Sequence, residues 1–336
     1  MPPAIAKRKG ITSFPFTSTM IPAICLLFVL ATMGTNSAVA LSAAPKKVVV
    51  AGAGGQTGKS LFRQLLGDGD FVPVGIVRTQ TSKDTLLEDP SLAIDDESKV
   101  IVCDVTDEAA VKSALDWNTV DALCICTSGT PRPTGEMNGE RPVFGYPEGG
   151  DPELVDWVGQ KSQIDALSET TSSAVHHIVV CGSMGGTDPE NMLNSIGRTK
   201  DPETGKEIGG NILMWKRKAE KYLIDKSDSD SNLKYTIVHA GGLINQPGNQ
   251  RELIVGVDDD RVTYGGEGSP RTVPRDDVAR VMMEACRNPK AYENRSFDLR
   301  AQEPTEGDDS VVITDFSKLM DSLEGKDCDY SLGKIM

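Results

Sequence analysis

The clearest indication of the fold is the stretch VVVAGAGGQTGKSLF, residues 48–62. Its three successive valines are typical of a strand in a parallel sheet, where both faces of the strand are buried. Gly52, Gly55 and Gly58 follow at a spacing of three, and apolar residues at helical spacing come after them. The stretch therefore predicts a buried strand, a tight turn and an amphipathic helix, in that order.

The glycines of this turn suit the binding of a diphosphate. The first can adopt a positive φ, the second lets an anion approach the backbone, and the third lets the helix pack close to the strand. The helix start directs N–H groups and a partial positive charge at that anion. An ordinary glycine-rich turn is the alternative, but the flanking strand and helix favour a dinucleotide site. We expect contacts from the whole turn: Gly52, Ala53, Gly54, Gly55, Gln56, Thr57 and Gly58.

Buried strands and helices alternate along the rest of the chain. Strands are expected at 47–51, 71–78, 99–103, 120–126, 176–181 and 235–239, with helices between them. This alternation predicts the α/β class, with a Rossmann-type doubly wound parallel sheet. We expect one NAD(P)-binding domain over 46–325, divided into a core at 46–240 and a small substrate-side cap at 241–325, followed by a tail at 326–336.

Three stretches rich in glycine and proline interrupt the alternation, at 128–150, 182–210 and 241–272. We expect them to be irregular. Each leaves the carboxyl end of a predicted strand, which is the edge where open α/β sheets bind ligands. Long loops at that edge favour a role in binding.

The chain is acidic, with a formal net charge of −14 over 336 residues. Nucleic acids and anionic membranes attract clustered Lys and Arg, so we expect neither as a partner of the mature domain. Residues 1–40 differ from the rest: a basic start, the apolar run Ile21–Ala31 and the small residues Ala38-Val39-Ala40 are typical of a signal peptide. An uncleaved anchor is the alternative. We expect either a bipartite signal for a plastid or the secretory pathway.

The second predicted strand ends at Arg78, and this favours NADP over NAD. NAD sites place an acid there for the ribose 2′-hydroxyl, whereas a guanidinium fits the 2′-phosphate of NADP. A solvated strand-end charge is the alternative for Arg78. Asp104, followed by Val105, could accept from the adenine amino group or cap the next helix. Thr127 and Ser128 end the fourth strand, beside the expected diphosphate and ribose.

Longer stretches resemble the atypical short-chain dehydrogenase/reductases, in particular their NAD(P)-binding, NmrA-like group. The stretches Cys181-Gly-Ser-Met-Gly-Gly186 and Trp215-Lys-Arg-Lys-Ala-Glu220 are similar to a plant subfamily of NADP-binding proteins of unassigned activity. The resemblance covers roughly residues 46–325. It implies NADP(H) as the cofactor and a catalytic Ser, Tyr and Lys in active members. Ser183 matches the serine and Lys216 the lysine, but Ile212 stands where the tyrosine is expected.

The missing tyrosine leaves two functions open. Ser183, Lys216 and His239 are the expected catalytic candidates, and Tyr146 and Tyr264 are further candidates for the proton donor; no metal-ligand spacing is present. The first hypothesis is a reductase that passes a hydride from NADPH to a small organic acceptor such as a quinone, a flavin or an enone. The second is a non-catalytic NADP(H) sensor or scaffold with a redox-dependent protein partner.

Overall fold

The three valines of the opening stretch are fully buried near the centre of an eight-stranded sheet. The computed structural model describes residues 44–260, 271–302 and 314–336. The expected signal segment, 1–40, and Tyr264 lie outside the described residues. Within the described ranges, no helix combines the length and apolar character needed to cross a membrane.

Strands and helices alternate much as expected. The strands are β1 (Lys46–Ala51), β2 (Phe71–Val77), β3 (Val100–Val102), β4 (Ala122–Ile125), β5 (Arg132–Asn138), β6 (Arg141–Gly145), β7 (His176–Ser183), β8 (Thr199–Lys200), β9 (Glu207–Ile208), β10 (Leu233–Ala240), β11 (Gly242–Ile244), β12 (Leu253–Gly256), β13 (Thr272–Pro274) and β14 (Arg295–Ala301). The helices are α1 (Gln56–Leu66), α2 (Gln80–Leu87), α3 (Glu108–Ser113), α4 (Gln160–Ser168), α5 (Ile212–Ser229), α6 (Arg275–Arg287), α7 (Pro289–Tyr292) and α8 (Phe316–Asp321). A π-helix, Glu153–Gly159, runs directly into α4.

The main sheet has the order β12-β14-β10-β7-β4-β1-β2-β3. Its neighbouring strands are parallel, except that β12 runs antiparallel to β14. One apolar core, with residues of α1 and α6, covers one face, and a second core, with residues of α3, α4 and α5, covers the other. The doubly wound sheet is therefore confirmed. The strand order reverses between β1 and β4, and the crevice at their carboxyl ends is the usual ligand site of such sheets.

The residues beyond 240 add two strands to this sheet. Strands β12 and β14 lie in the main sheet beside β10, and α6 packs against α1. Six of the seven residues of β14 are buried, as its place between two strands requires. The short pair β11–β13 forms a separate small sheet next to them.

The stretch 128–150 contains a hairpin, although we expected it to be irregular. Strands β5 and β6 pair antiparallel, from Arg132 opposite Gly145 to Asn138 opposite Arg141. Every residue of β5 is exposed. An exposed strand needs no alternation of apolar and polar residues, so its sequence lacks the usual strand pattern. The short strands β8 and β9 likewise pair within 182–210.

Candidate functional site

The glycine turn is packed so closely that two of its glycines leave no room for a side chain. Gly52 has a φ of 81°, and a Cβ there would lie 3.0 Å from the backbone of Cys126 and Thr127. A Cβ on Gly58 would lie 2.2 Å from the carbonyl oxygen of Gly52. Helix α1 therefore starts in direct contact with the turn, and the turn lies against the end of β4.

The start of α1 offers backbone N–H groups to an anion. Its N-cap residue, Gly55, has no side chain, and its first turn contains no acidic residue. The N–H groups of Gly52 and Ala53 donate to the carbonyl of Ile76, and that of Gly55 donates to Gly52. The turn is thus held by its own backbone. The N–H groups of Gln56, Thr57 and Gly58 belong to the first turn of the helix, where no intrahelical acceptor is available.

A cavity of about 260 Å³ lies beside this turn, at the carboxyl ends of β1 to β4. The structure places eight of the expected cofactor-binding residues on its wall: Gly52, Gly54, Gly55, Arg78, Asp104, Val105, Thr127 and Ser128. The other turn residues, Ala53, Gln56, Thr57 and Gly58, form the turn and helix start behind them. A wall of bare backbone, one carboxylate and cationic side chains has the chemistry that a dinucleotide requires.

Two guanidinium groups line this cavity, and only one of them was expected from the sequence. Arg78 follows the last residue of β2, and its Nη1 donates to the carbonyl of Gly149 at 3.4 Å. Arg132 reaches the cavity from β5 of the exposed hairpin. Within the described ranges, neither arginine forms an ion pair with a carboxylate. Both are therefore available to a phosphate, and tertiary folding alone brings Arg132 to the site.

Asp104 does not cap the following helix, so the capping role considered for it is wrong. Its Oδ1 accepts from the N–H of Thr106 at 3.0 Å and from the Thr106 hydroxyl at 2.8 Å. The N-cap of α3 is Asp107, whose Oδ1 accepts from the N–H of Ala110. Asp104 instead shapes the loop after β3 and remains on the cavity wall.

Lys216 is buried in an ion pair, and the alternative of an exposed helix base is wrong. Its Nζ lies 2.8 Å from Oδ1 of Asp156, and the two side chains are 8% and 0% exposed. Burial disfavours the charged lysine, but the carboxylate outweighs burial and raises the pKa of Lys216. Oδ2 of Asp156 accepts from the N–H of Gly129 at 2.8 Å. Asp156 therefore joins α5 to the loop that follows β4.

Ser183 and His239 end neighbouring strands, β7 and β10, and have different surroundings. The hydroxyl of Ser183 is half-buried and donates to the carbonyl of Met184 at 3.1 Å. His239 is buried, with Nε2 3.1 Å from Glu220 and Nδ1 3.4 Å from Asp298. Neither residue is among those that line the cavity.

The C-terminal residues close over His239. Cys328 Sγ lies 3.4 Å from its Nδ1, and the Tyr330 hydroxyl lies 3.3 Å from its Nε2. Burial opposes the charged imidazole, but Glu220 and the other neighbours outweigh burial and raise the pKa of His239. These groups enclose the imidazole, and the catalytic role considered for it stays a prediction.

Comparisons with known proteins agree with this geometry. The profile of a family described as NAD(P)H-binding matches residues 52–289. An uncharacterized chloroplastic protein of Arabidopsis thaliana is 39% identical over 262 residues, which cover 77% of this chain and 70% of the relative. Sanguinarine reductase of Eschscholzia californica is 37% identical over 273 residues, covering 75% of this chain and 88% of that enzyme. The chloroplastic protein TIC 62 of Arabidopsis thaliana is more distant, at 23% identity over 83% of this chain and 38% of its own length.

The family match extends from the glycine turn through the end of α6 and covers most of the described chain. It includes every residue on the cavity wall and both partners of the buried ion pair, Asp156 and Lys216. The chain therefore belongs to the NAD(P)H-binding family of Rossmann-type proteins.

Proposed function

We propose that this chain is a reductase that uses NADPH to reduce a small organic acceptor, such as a quinone, a flavin or an enone. The observation that carries this proposal is the cavity at the glycine turn, with two guanidinium groups on its wall. The similarity to sanguinarine reductase, a named reductase, supports the reaction class.

The residues around the cavity divide among the parts of the dinucleotide. The glycine turn and the start of α1 hold the diphosphate, Arg78 and Arg132 pair with the 2′-phosphate, and Asp104 accepts from the adenine amino group. The nicotinamide half then extends past the end of β4 toward Ser183 and Lys216. When bound, NADPH supplies the hydride. The protein holds the acceptor against it and excludes water from the contact.

Two measurements on the purified chain test this proposal. In calorimetric titrations, we expect NADPH to bind at least about tenfold more tightly than NADH, because one charge-assisted hydrogen bond contributes about 1.5–3 kcal/mol. In an absorbance assay with a panel of quinones, flavins and enones, we expect the protein to oxidise NADPH. Binding of NADPH without reduction of any acceptor contradicts a reductase.

Ile212 favours a second candidate, a sensor that reports the redox state of NADP(H) to a protein partner. This side chain begins α5, four residues before Lys216, and it has no proton to donate. A sensor binds NADPH and NADP⁺, reduces no acceptor, and holds its partner more tightly with one of the two nucleotides. Affinity capture repeated with each nucleotide distinguishes this case from the reductase.

We also propose a plastid as the destination of this chain. Two of its relatives are chloroplastic. The six cysteines of the described residues are all unpaired, which suits a reducing compartment such as a plastid stroma. A fluorescent protein fused to the C-terminus should accumulate in plastids. Accumulation outside the cell contradicts this destination.

A further inference from the structure

Tyr146 lies directly after the β5–β6 hairpin, and its ring packs against two glycines from other parts of the chain. A Cβ on Gly197 would lie 2.7 Å from Cδ2 of its ring, and a Cβ on Gly129 would lie 3.3 Å from Cε1. Side chains at either position would push the ring away. The chain therefore makes room for a tyrosine at this place, which indicates that its position matters.

The hydroxyl of Tyr146 is buried without a hydrogen-bond partner within the described ranges. A buried polar group normally finds a partner, because leaving one unsatisfied is costly. A phenol that is fixed in position and unsatisfied is suited to a ligand that supplies the missing partner. That ligand must bring an oxygen or nitrogen atom to the hydroxyl.

The surroundings of Tyr146 connect it to the cavity. Pro147, the next residue, lines the cavity, as does Ser128, which precedes Gly129. Gly129 donates its N–H to Asp156, the partner of Lys216. Asp156 lies in the π-helix before α4, and such helices are frequent at functional sites. The phenol therefore stands close to Asp156, one partner of the buried ion pair, and next to Pro147 on the cavity wall.

We propose that Tyr146 is the proton donor of this reductase, in place of the tyrosine missing at position 212. This inference rests on the function proposed above and specifies its acceptor as one that gains a proton on oxygen, such as an enone. The hydride forms a C–H bond at the β-carbon of the enone, the π pair of the C=C bond forms a new double bond to the carbonyl carbon, and the π pair of the C=O bond moves onto the oxygen. That oxygen takes the proton of the Tyr146 hydroxyl, whose O–H bond breaks. The enol formed becomes the saturated ketone, NADP⁺ remains, and the phenolate regains a proton from solvent as the product leaves.

The electrostatics of the loop keep this phenol protonated before the reaction. Burial, and then the nearby carboxylate of Asp156, raise the pKa of Tyr146 to about 12. At neutral pH the group is therefore a phenol, with a proton to donate to the oxygen of the acceptor. Asp156 stays paired with Lys216, so the pair fixes the loop next to the phenol.

The variant Tyr146→Phe tests the proposal with two acceptors that differ in their need for a proton. Cyclic enones need a proton on oxygen, whereas 10-methylacridinium accepts a hydride and becomes neutral without one. With rates corrected for the reaction without protein, we expect kcat/KM for the enones to fall by about 10²- to 10⁴-fold, the usual share of general acid catalysis. Reduction of 10-methylacridinium and the dissociation constant of NADPH should not change.

The variant Tyr222→Phe is the matched control. The Tyr222 hydroxyl already donates to Asp165 at 2.6 Å, so its loss should lower the melting temperature and leave enone reduction unchanged. Tyr146→Phe, which removes an unsatisfied hydroxyl, should not lower the melting temperature of the nucleotide-free protein.

Three results overturn the proposal in distinguishable ways. If Tyr146→Phe reduces enones as fast as the unmodified chain, Tyr146 is not the donor and the reductase stands. An equal loss with both acceptors assigns Tyr146 to binding and excludes proton donation. If the unmodified chain reduces neither acceptor, the proposed reductase fails together with its donor.

Discussion

Replacing Gly58 with alanine tests the close packing on which the cofactor site depends. The added Cβ would lie 2.2 Å from the Gly52 carbonyl oxygen, against 3.4–4 Å for ordinary van der Waals contact. Helix α1 cannot simply withdraw, because Leu61, Phe62 and Leu65 are fully buried in the core beneath it. We expect this overpacking to cost about 1–3 kcal/mol of unfolding free energy. At about 2–4 °C per kcal/mol, the melting temperature should fall by roughly 2–12 °C.

The same change should weaken nucleotide binding. Moving the start of α1 away from Gly52 displaces the N–H groups that face the diphosphate, so we expect the NADPH dissociation constant to rise by at least about tenfold. Gly69→Ala is the control, since a Cβ there meets nothing within 4 Å. Thermal unfolding and calorimetry measure both effects. A Gly58→Ala protein with the melting temperature and affinity of the unmodified chain would refute this account of the turn.

Three further changes test individual charges. Arg132→Ala should weaken NADPH binding by about 10- to 150-fold, the equivalent of one charge-assisted hydrogen bond, whereas Arg141→Ala on the same hairpin should not alter it in calorimetry. Arg78→Glu should reverse the preference between NADPH and NADH; an unchanged affinity for NADPH would exclude contact with the 2′-phosphate. Burial opposes the charge of His239, but Glu220 and its other neighbours raise the pKa of this imidazole in the folded state. The charged imidazole therefore contributes its full share of the unfolding free energy below the unfolded pKa of about 6.5. That contribution is lost as the pH rises through the raised pKa. Urea unfolding should show this loss toward alkaline pH, and His239→Gln should abolish it; parallel curves for both proteins speak against the charged network.

The first part of the fold could be predicted because its constraints are local. A strand buried on both faces must be apolar throughout, and a helix that packs closely against the end of that strand needs a glycine there. Residues 48–62 show both features, so they predict both elements. Arg78, Asp104 and Thr127 could also be predicted, because each comes one or two residues after the carboxyl end of a strand. These residues could be placed on the cavity wall without knowledge of any distant contact.

The remaining features depend on contacts between distant residues. Strand β5 is exposed, so it shows no apolar alternation, and nothing near Arg132 in the sequence indicates that it faces the cavity. Likewise, Asp156 lies 60 positions from Lys216 along the chain, and only folding pairs them. The pairing of β14 with β10 could not be predicted, because the sequence of a short strand does not indicate which strand lies beside it.

The last eleven residues, expected to be a tail, are part of the folded wall around the end of β10. Cys328 donates its N–H to Ser296, and Arg217 donates to the carbonyls of Asp329 and Leu332. A chain that stopped at residue 325 would expose to water the side chains of His239 and Glu220, which are buried when residues 326–336 are present. Any shortened version intended for crystallisation therefore has to retain residues through Leu332.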